Sequence, residues 1–193
     1  MQDNTAVIHS SASDEWETPQ CLYDELNKEF YFQLDPCCTL KTQKAPAGYG
    51  LDTNFCGDTK VHTLQNGLEV NWYQKGFRRA FVNPPYSQIG KWVAKCHAEM
   101  LNGCISVMII PGRTGTLWWH KYMPEACEIR EIEGRVYFKG MIKVPGQPKD
   151  TPKDQIKYEM GMAPAPFDSV VVVFKPKSAG LPVKRTFWKV PRR

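Results

Sequence analysis

No stretch of this 193-residue chain stays apolar long enough to span a membrane, and no membrane association is expected. The start, Met1-Gln2-Asp3-Asn4, does not have the pattern of a signal peptide, and a cytoplasmic location is expected. Cysteine never occurs in the spacing that holds zinc. The seven cysteines are odd in number, Cys37 and Cys38 are adjacent, and no C-x-x-C exists, a pattern that predicts buried reduced thiols and no metal. Glycine is absent from the loop after the first expected strand, Pro36-Cys37-Cys38-Thr39, where many α/β folds have it. Acidic residues are absent after Asp168, whereas Lys175, Lys177, Lys184, Arg185, Lys189, Arg192 and Arg193 lie beyond it. Removing those seven positive charges from the formal +5 leaves −2, so the basic character is local to the tail.

What is present begins with 42% hydrophobic residues, enough for one domain with a sizeable core. Arg79-Ala80-Phe81-Val82 reads as a short buried strand. Pro84 and Pro85 must end it, because proline cannot donate to a sheet ladder and holds φ nearly fixed. The chain therefore leaves the sheet as a stiff loop with Asn83 at its mouth. Ser87 is expected to cap the next helix, in which Ile89, Trp92, Val93, Cys96 and Met100 recur at helical spacing and Gly103 provides the stop. A strand, a rigid elbow and a helix present a site at the carboxyl edge of an α/β sheet.

Asn83-Pro84-Pro85-Tyr86 suits a particular chemistry. A conjugated or amide nitrogen is a poor nucleophile because its lone pair is delocalised. Two acceptors, the Asn83 side-chain oxygen and the Pro84 carbonyl, can grip one NH2 group and aim that lone pair at an electrophile, while Pro85 stiffens the turn. Tyr86 offers a flat face for a planar substrate. A Pro-rich turn with a structural asparagine is the blander alternative.

The loop resembles the catalytic loop of S-adenosylmethionine-dependent amino-methyltransferases, which act on DNA adenine, on ribosomal RNA or on protein glutamine. Asp14-Glu15-Trp16-Glu17-Thr18-Pro19-Gln20, Leu34-Asp35-Pro36, Asn66-Gly67-Leu68 with Trp72, the Asn83 loop, Trp118-Trp119-His120 and Gly134-Arg135-Val136-Tyr137-Phe138 are, in this order, similar to the phage-type Dam family of DNA N6-adenine methyltransferases. The resemblance runs from about Asp14 to about Lys175. It implies a compact α/β fold of the class I methyltransferase (Rossmann) type, with a mixed, mostly parallel sheet and helices on both faces. It also implies S-adenosylmethionine as cofactor, double-stranded DNA as partner, and no obligate protein partner.

Residues 1–13 are expected to form a mobile arm, 14–175 the catalytic domain and 176–193 the basic tail. Thr18 caps a helix with Pro19 at its first position and Leu22, Leu26 and Phe30 on one face; the resemblance instead puts Thr18-Pro19 against the methionine part of the cofactor. Tyr31 to Asp35 is the first strand, and Asp35, Pro36 and Cys37 belong to the cofactor loop. The span from Thr39 to Arg79 is too short for two full helix-strand units. Within it Asp52 holds a ribose diol or is a solvated turn acid, and Asn66, where the family commonly has Asp, meets the adenine beside Gly67 and Leu68.

Cys104 to Ile110 is a central strand. Of Trp118 and Trp119, one packs while the other faces the substrate cleft with Arg113 and His120; two structural aromatics are the alternative. Arg135 joins that cleft, and Phe138 or Tyr137 is the second wall of a base sandwich with Tyr86. Residues 140–167, rich in proline and lysine, are expected to be a loop that contacts DNA, Lys149 and Lys153 pairing with phosphates. Two rival readings remain at this point: the same chemistry on RNA or protein glutamine, and a catalytically silent nucleic-acid-binding module using the basic tail.

Overall fold

A computed structural model describes residues 16–50, 61–148, 150–176 and 182–190. The expected N-terminal arm, Asp52, Lys149 and the tail residues Lys177, Arg192 and Arg193 lie outside the described residues.

The organising element is an eight-stranded sheet. Its strands are β1 (Leu34–Asp35), β2 (Ala47–Gly50), β3 (Val61–Leu64), β4 (Arg79–Val82), β5 (Ile105–Pro111), β6 (Glu128–Ile132), β9 (Ser169–Phe174) and β10 (Lys184–Trp188), with β7 (Tyr137–Lys143) and β8 (Tyr158–Pro164) outside it. They lie side by side in the order β10-β6-β9-β5-β4-β1-β2-β3. All neighbours are parallel except β9, which is antiparallel to both β5 and β6. The mixed, mostly parallel sheet expected from sequence is the one found. α1 (Gln20–Phe30) covers one face, and α2 (Ile89–Leu101) and α3 (Leu117–Tyr122) the other.

Strand periodicity assigns the two cores. Phe81, Val107, Ile109, Val171 and Val173 face Leu22, Leu26 and Phe30 of α1. Their neighbours Ala80, Val82, Met108, Ile110, Val170 and Val172 face Trp92, Val93 and Cys96 of α2. Because both faces are buried, β5 and β9 read as continuous apolar runs rather than alternating ones. Gly103 ends the α2 segment at φ +109°, a conformation that favours glycine, with Tyr73 packed where a Cβ would stand.

Four local expectations are corrected. Thr18 does not cap α1: Pro19 occupies the cap position and its carbonyl accepts from Leu22 N and Tyr23 N at 3.1 and 3.2 Å. β1 is shorter than Tyr31 to Asp35, because Tyr31 takes the left-handed conformation that closes α1 (φ 50°) and Asn27 Oδ1 accepts from Phe32 N at 2.7 Å. Ser87 does not cap α2; a 3-10 turn, Tyr86–Gln88, precedes it and is closed by Gln88 N donating to the Pro85 carbonyl. Residues 140–167 are not one long loop. β7 and β8 pair antiparallel as a separate two-stranded hairpin, with Pro145, Pro148 and Pro152 confined to the connection, where no ladder bond is lost. The connection from β3 back to β4 forms no α-helix, in keeping with the compact span read from sequence. Among the described residues no helix is long and apolar enough to cross a membrane.

Candidate active site

The chain runs from β1 outward through β2 and β3, then returns to β4 on the opposite side of β1. Loops leaving β1 and β4 therefore diverge, and such a reversal opens a crevice beyond the carboxyl ends of the strands. A cavity of about 360 Å³ lies there, among Trp16, Thr18, Asp35, Cys37, Cys38, Thr39, Asn83 and Pro85. Its volume is within the range of small-molecule sites, roughly 300–1,000 Å³. The sequence-predicted Asn83 loop, β1 loop and Thr18 segment are thus brought together.

Asn83 is held at one end only. Its Nδ2 donates to the Trp16 carbonyl at 2.7 Å. A carbonyl can only accept, so the nitrogen must lie on that side and the oxygen on the other. Asn83 Oδ1 is buried and has no partner among the described residues. Thr18, 3% exposed, likewise has a buried Oγ1 with no partner. Buried polar atoms are nearly always paired in folded proteins; of the five unpaired ones among the described residues, these two belong to residues that line one cavity, which makes it the candidate ligand site. Pro84 is buried behind them.

Asp35, at the carboxyl end of β1, is 4% exposed, and its Oδ2 accepts from Lys44 N at 3.0 Å. Burial and then the Asp35 charge push the Cys37 thiol well up, which keeps it a neutral, small wall of the cavity, although the Asn83 backbone N–H at its sulfur acts the other way. The glycines missing from this loop stand opposite it instead. A Cβ on Gly67 would run into the Pro36 carbonyl, and one on Gly48 would lie 2.7 Å from Cys38 Sγ. Close approach is achieved by the neighbouring chain segments rather than by the loop.

Tyr86 is half-buried and meets Phe167 edge-on, with centroids 4.9 Å apart at 84°. Phe167 was not among the expected site residues; as a lone aromatic between β8 and β9, it carried no signal tying it to Tyr86. The expected partner Phe138 is 2% exposed and belongs to the α1-side core, so it cannot receive a base. Tyr137, on the opposite face of β7, is 54% exposed.

Other expected residues fall further off. Asn66 is used within its own turn, Oδ1 accepting from Leu68 N at 3.1 Å and Nδ2 donating to Glu69 Oε1 at 2.9 Å, and it lines a separate groove with Gln65 and Glu69. Leu68 packs on the α2-side core. Trp118 lies over Gly90, Trp119 is buried, and exposed His120 borders a different groove with Val183 and Arg185. The two tryptophans are therefore structural, and His120 is not brought to Asn83. Arg113 starts the loop after β5, its carbonyl accepting from Thr116 Oγ1 at 2.8 Å, outside the residues that line the Asn83 cavity. Arg135 Nη1 donates to the Ala165 carbonyl at 2.9 Å and its Nε lies 3.7 Å from Asp168, so its two partners bracket Phe167 along the chain. Lys153 sits in a 3-10 turn of the hairpin connection.

The family model "DNA N-6-adenine-methyltransferase (Dam)" matches residues 5–179. No curated protein matches by sequence. Among solved structures, a protein of Listeria monocytogenes described as a class I S-adenosylmethionine-dependent methyltransferase aligns with a TM-score of 0.50 at 13% identity, covering 94% of this chain and 68% of that one. A protein of Agrobacterium tumefaciens described as an O-methyltransferase aligns over 82% and 78% of the two chains at 12% identity, with a TM-score of 0.38 that adds nothing to the fold assignment.

Proposed function

This chain belongs to the DNA N-6-adenine-methyltransferase (Dam) family, and on that premise we propose how its own residues carry the reaction. The reaction moves a methyl group from S-adenosylmethionine to the N6 amino group of adenine in DNA. The readings on RNA, on protein glutamine and as a silent binding module fall away with the family.

The cavity suits the cofactor on three grounds. Its volume is that of a small-molecule site, the unpaired Thr18 hydroxyl calls for a partner, and buried Asp35 supplies negative charge for a cationic ligand. S-adenosylmethionine supplies the methyl as an electrophile on a positively charged sulfur. Thr18 and Pro19 would border its methionine part and Asp35 and Cys37 the opposite wall, with Gly67 packed behind that wall against the Pro36 carbonyl and Leu68 turned into the core. Asn66 contributes by shaping the Gly67–Leu68 turn.

The amine is handled by the loop after β4. Asn83 Oδ1 accepts one N6 hydrogen and the Pro84 carbonyl the other, which takes the lone pair out of conjugation with the ring. Tyr86 stacks on the adenine, turned out of a duplex, and Phe167 backs Tyr86 edge-on. The β7–β8 hairpin with Lys153 of its connection, Lys149 and the basic tail meet duplex phosphates in the cytoplasm. The observation that carries this reading is the tethered nitrogen and free oxygen of Asn83.

The test is methylation of plasmid DNA by the wild-type chain and by Asn83→Ala, with modified positions mapped. N6-methyladenine from the wild type and none from the variant, both retaining cofactor affinity, is the expected result. Equal loss of affinity and transfer would make the loop a structural feature.

A further inference from the structure

A side-chain amide has the same shape whichever way it is turned, so nothing within Asn83 decides which atom faces the cavity. The Trp16 carbonyl decides it, by accepting from Nδ2 at 2.7 Å. Trp16 belongs to none of the helices or strands; its side chain packs on the α1-side core, and its backbone carbonyl leads directly into Glu17.

Glu17 is held from three directions. Its backbone exchanges two hydrogen bonds with Lys139 of β7, Glu17 N to Lys139 O at 2.7 Å and Lys139 N to Glu17 O at 3.0 Å. Its Oε1 lies 2.9 Å from Lys44 Nζ and its Oε2 3.5 Å from Lys139 Nζ. Lys44, in turn, donates its backbone N–H to Asp35 and its ammonium to Gln20 Oε1 at 3.1 Å. The Glu17–Lys44 pair is shielded, with side chains 24% and 7% exposed, so it is stronger than a surface pair. Burial alone would raise the Glu17 carboxyl, but Lys44 and Lys139 outweigh it and hold the group below the ordinary carboxylate value.

We propose that Glu17 is a positioning residue for methyl transfer: clasped between Lys44 and Lys139, it holds the Trp16 carbonyl on Asn83 Nδ2, so that the amide oxygen alone faces the substrate amine. The proposal rests on the reading of Asn83 as the amine's acceptor. With Glu17 released, the carbonyl can withdraw and the amide can turn its NH2 into the cavity, where it meets the donors of the substrate amine.

The test compares the full-length wild type, Glu17→Ala, Glu17→Gln and Asn83→Ala in single-turnover methylation of duplex DNA, with S-adenosylmethionine and duplex affinities measured alongside. For Glu17→Ala the transfer rate is expected to fall about tenfold to 100-fold while both affinities stay within about twofold, the signature of lost alignment. Glu17→Gln keeps an acceptor for Lys44 and is expected to recover most of the rate, which also covers the case in which Glu17→Ala does not fold. A wild-type rate in both Glu17 variants, or a rate loss matched by equal affinity losses, overturns the proposal. A wild-type rate in Asn83→Ala overturns the acceptor reading itself.

Discussion

Two buried polar clusters in this molecule differ in one respect. At Glu99, which is 1% exposed, pairing is complete: the carboxylate accepts from Trp72 N at 3.1 Å, Tyr73 N at 3.3 Å and Lys95 Nζ at 2.6 Å, and Lys95 also donates to the Val70 carbonyl. At Asn83 and Thr18, burial leaves one oxygen on each side chain without a partner. The first cluster fastens the β3-to-β4 connection to α2 and is finished as it stands. The second is finished only when something enters the cavity. Unpaired burial alone does not make a site, since Trp92 Nε1, Ser106 Oγ and Ser169 Oγ are also buried without partners among the described residues; what sets Asn83 and Thr18 apart is that both line the same cavity.

Substitutions can break or sharpen that contrast. Glu99→Ala leaves two backbone N–H groups without their acceptor and a shielded lysine without its counter-charge, and should cost roughly 3–5 kcal/mol of stability in urea unfolding. Unchanged stability would erase the distinction. Asn83→Ala should do the reverse, lowering methyl transfer by about 10²- to 10³-fold with an unfolding midpoint close to wild type. A large loss of stability there would make Asn83 a member of the architectural class. Thr18→Val removes a hydroxyl that has no partner among the described residues. Stability should hold or rise by about 1 kcal/mol, while S-adenosylmethionine should bind roughly threefold to tenfold more weakly by calorimetry. Unaltered affinity would detach Thr18 from the site.

The smallest effect concerns acid. Both Glu17 and Glu128 are raised by burial yet held on balance below their ordinary 4.5, Glu17 by Lys44 and Lys139, Glu128 by Arg130 and Lys184. Native carboxylates with depressed values bind fewer protons than the unfolded chain in that window. Their contribution is therefore complete above about pH 4.5 and is lost as the pH falls through the folded-state values. Thermal unfolding across that range should show declining stability; a rise on acidification would contradict both pairings.

Much of the scaffold was legible in the residue order because two local periods carried it. The apolar run of β5, the strand before Asn83 and the helical spacing of Trp92, Val93, Cys96 and Met100 each answer to burial on a particular face. The β7–β8 hairpin was not legible. Met160-Gly161-Met162-Ala163 lacks the β-branched residues that announce a strand, and it is one because it pairs in register with β7 and because Ile142 fills the space beside Gly161. Phe138 was misassigned for a related reason: alternation alone does not say which face of a hairpin points inward, and here Phe138 turns to the α1 side. Thr18 read as a cap because threonine before proline commonly is one, but the Pro19 carbonyl took the helix bonds and left the hydroxyl to the cavity.

The residue order by itself determined the stiff elbow at Asn83-Pro84-Pro85-Tyr86, since two prolines end a strand wherever they fall and leave the chain beyond them free to begin a helix. It also determined which strands would be buried on both sides. Only the tertiary structure decided which atom of the Asn83 amide looks into the cavity and which aromatic stands beside Tyr86. Those choices depend on the hydrogen bond that Trp16 accepts and on the approach of Phe167, both contributed by segments far away along the chain and brought near only when the sheet has closed.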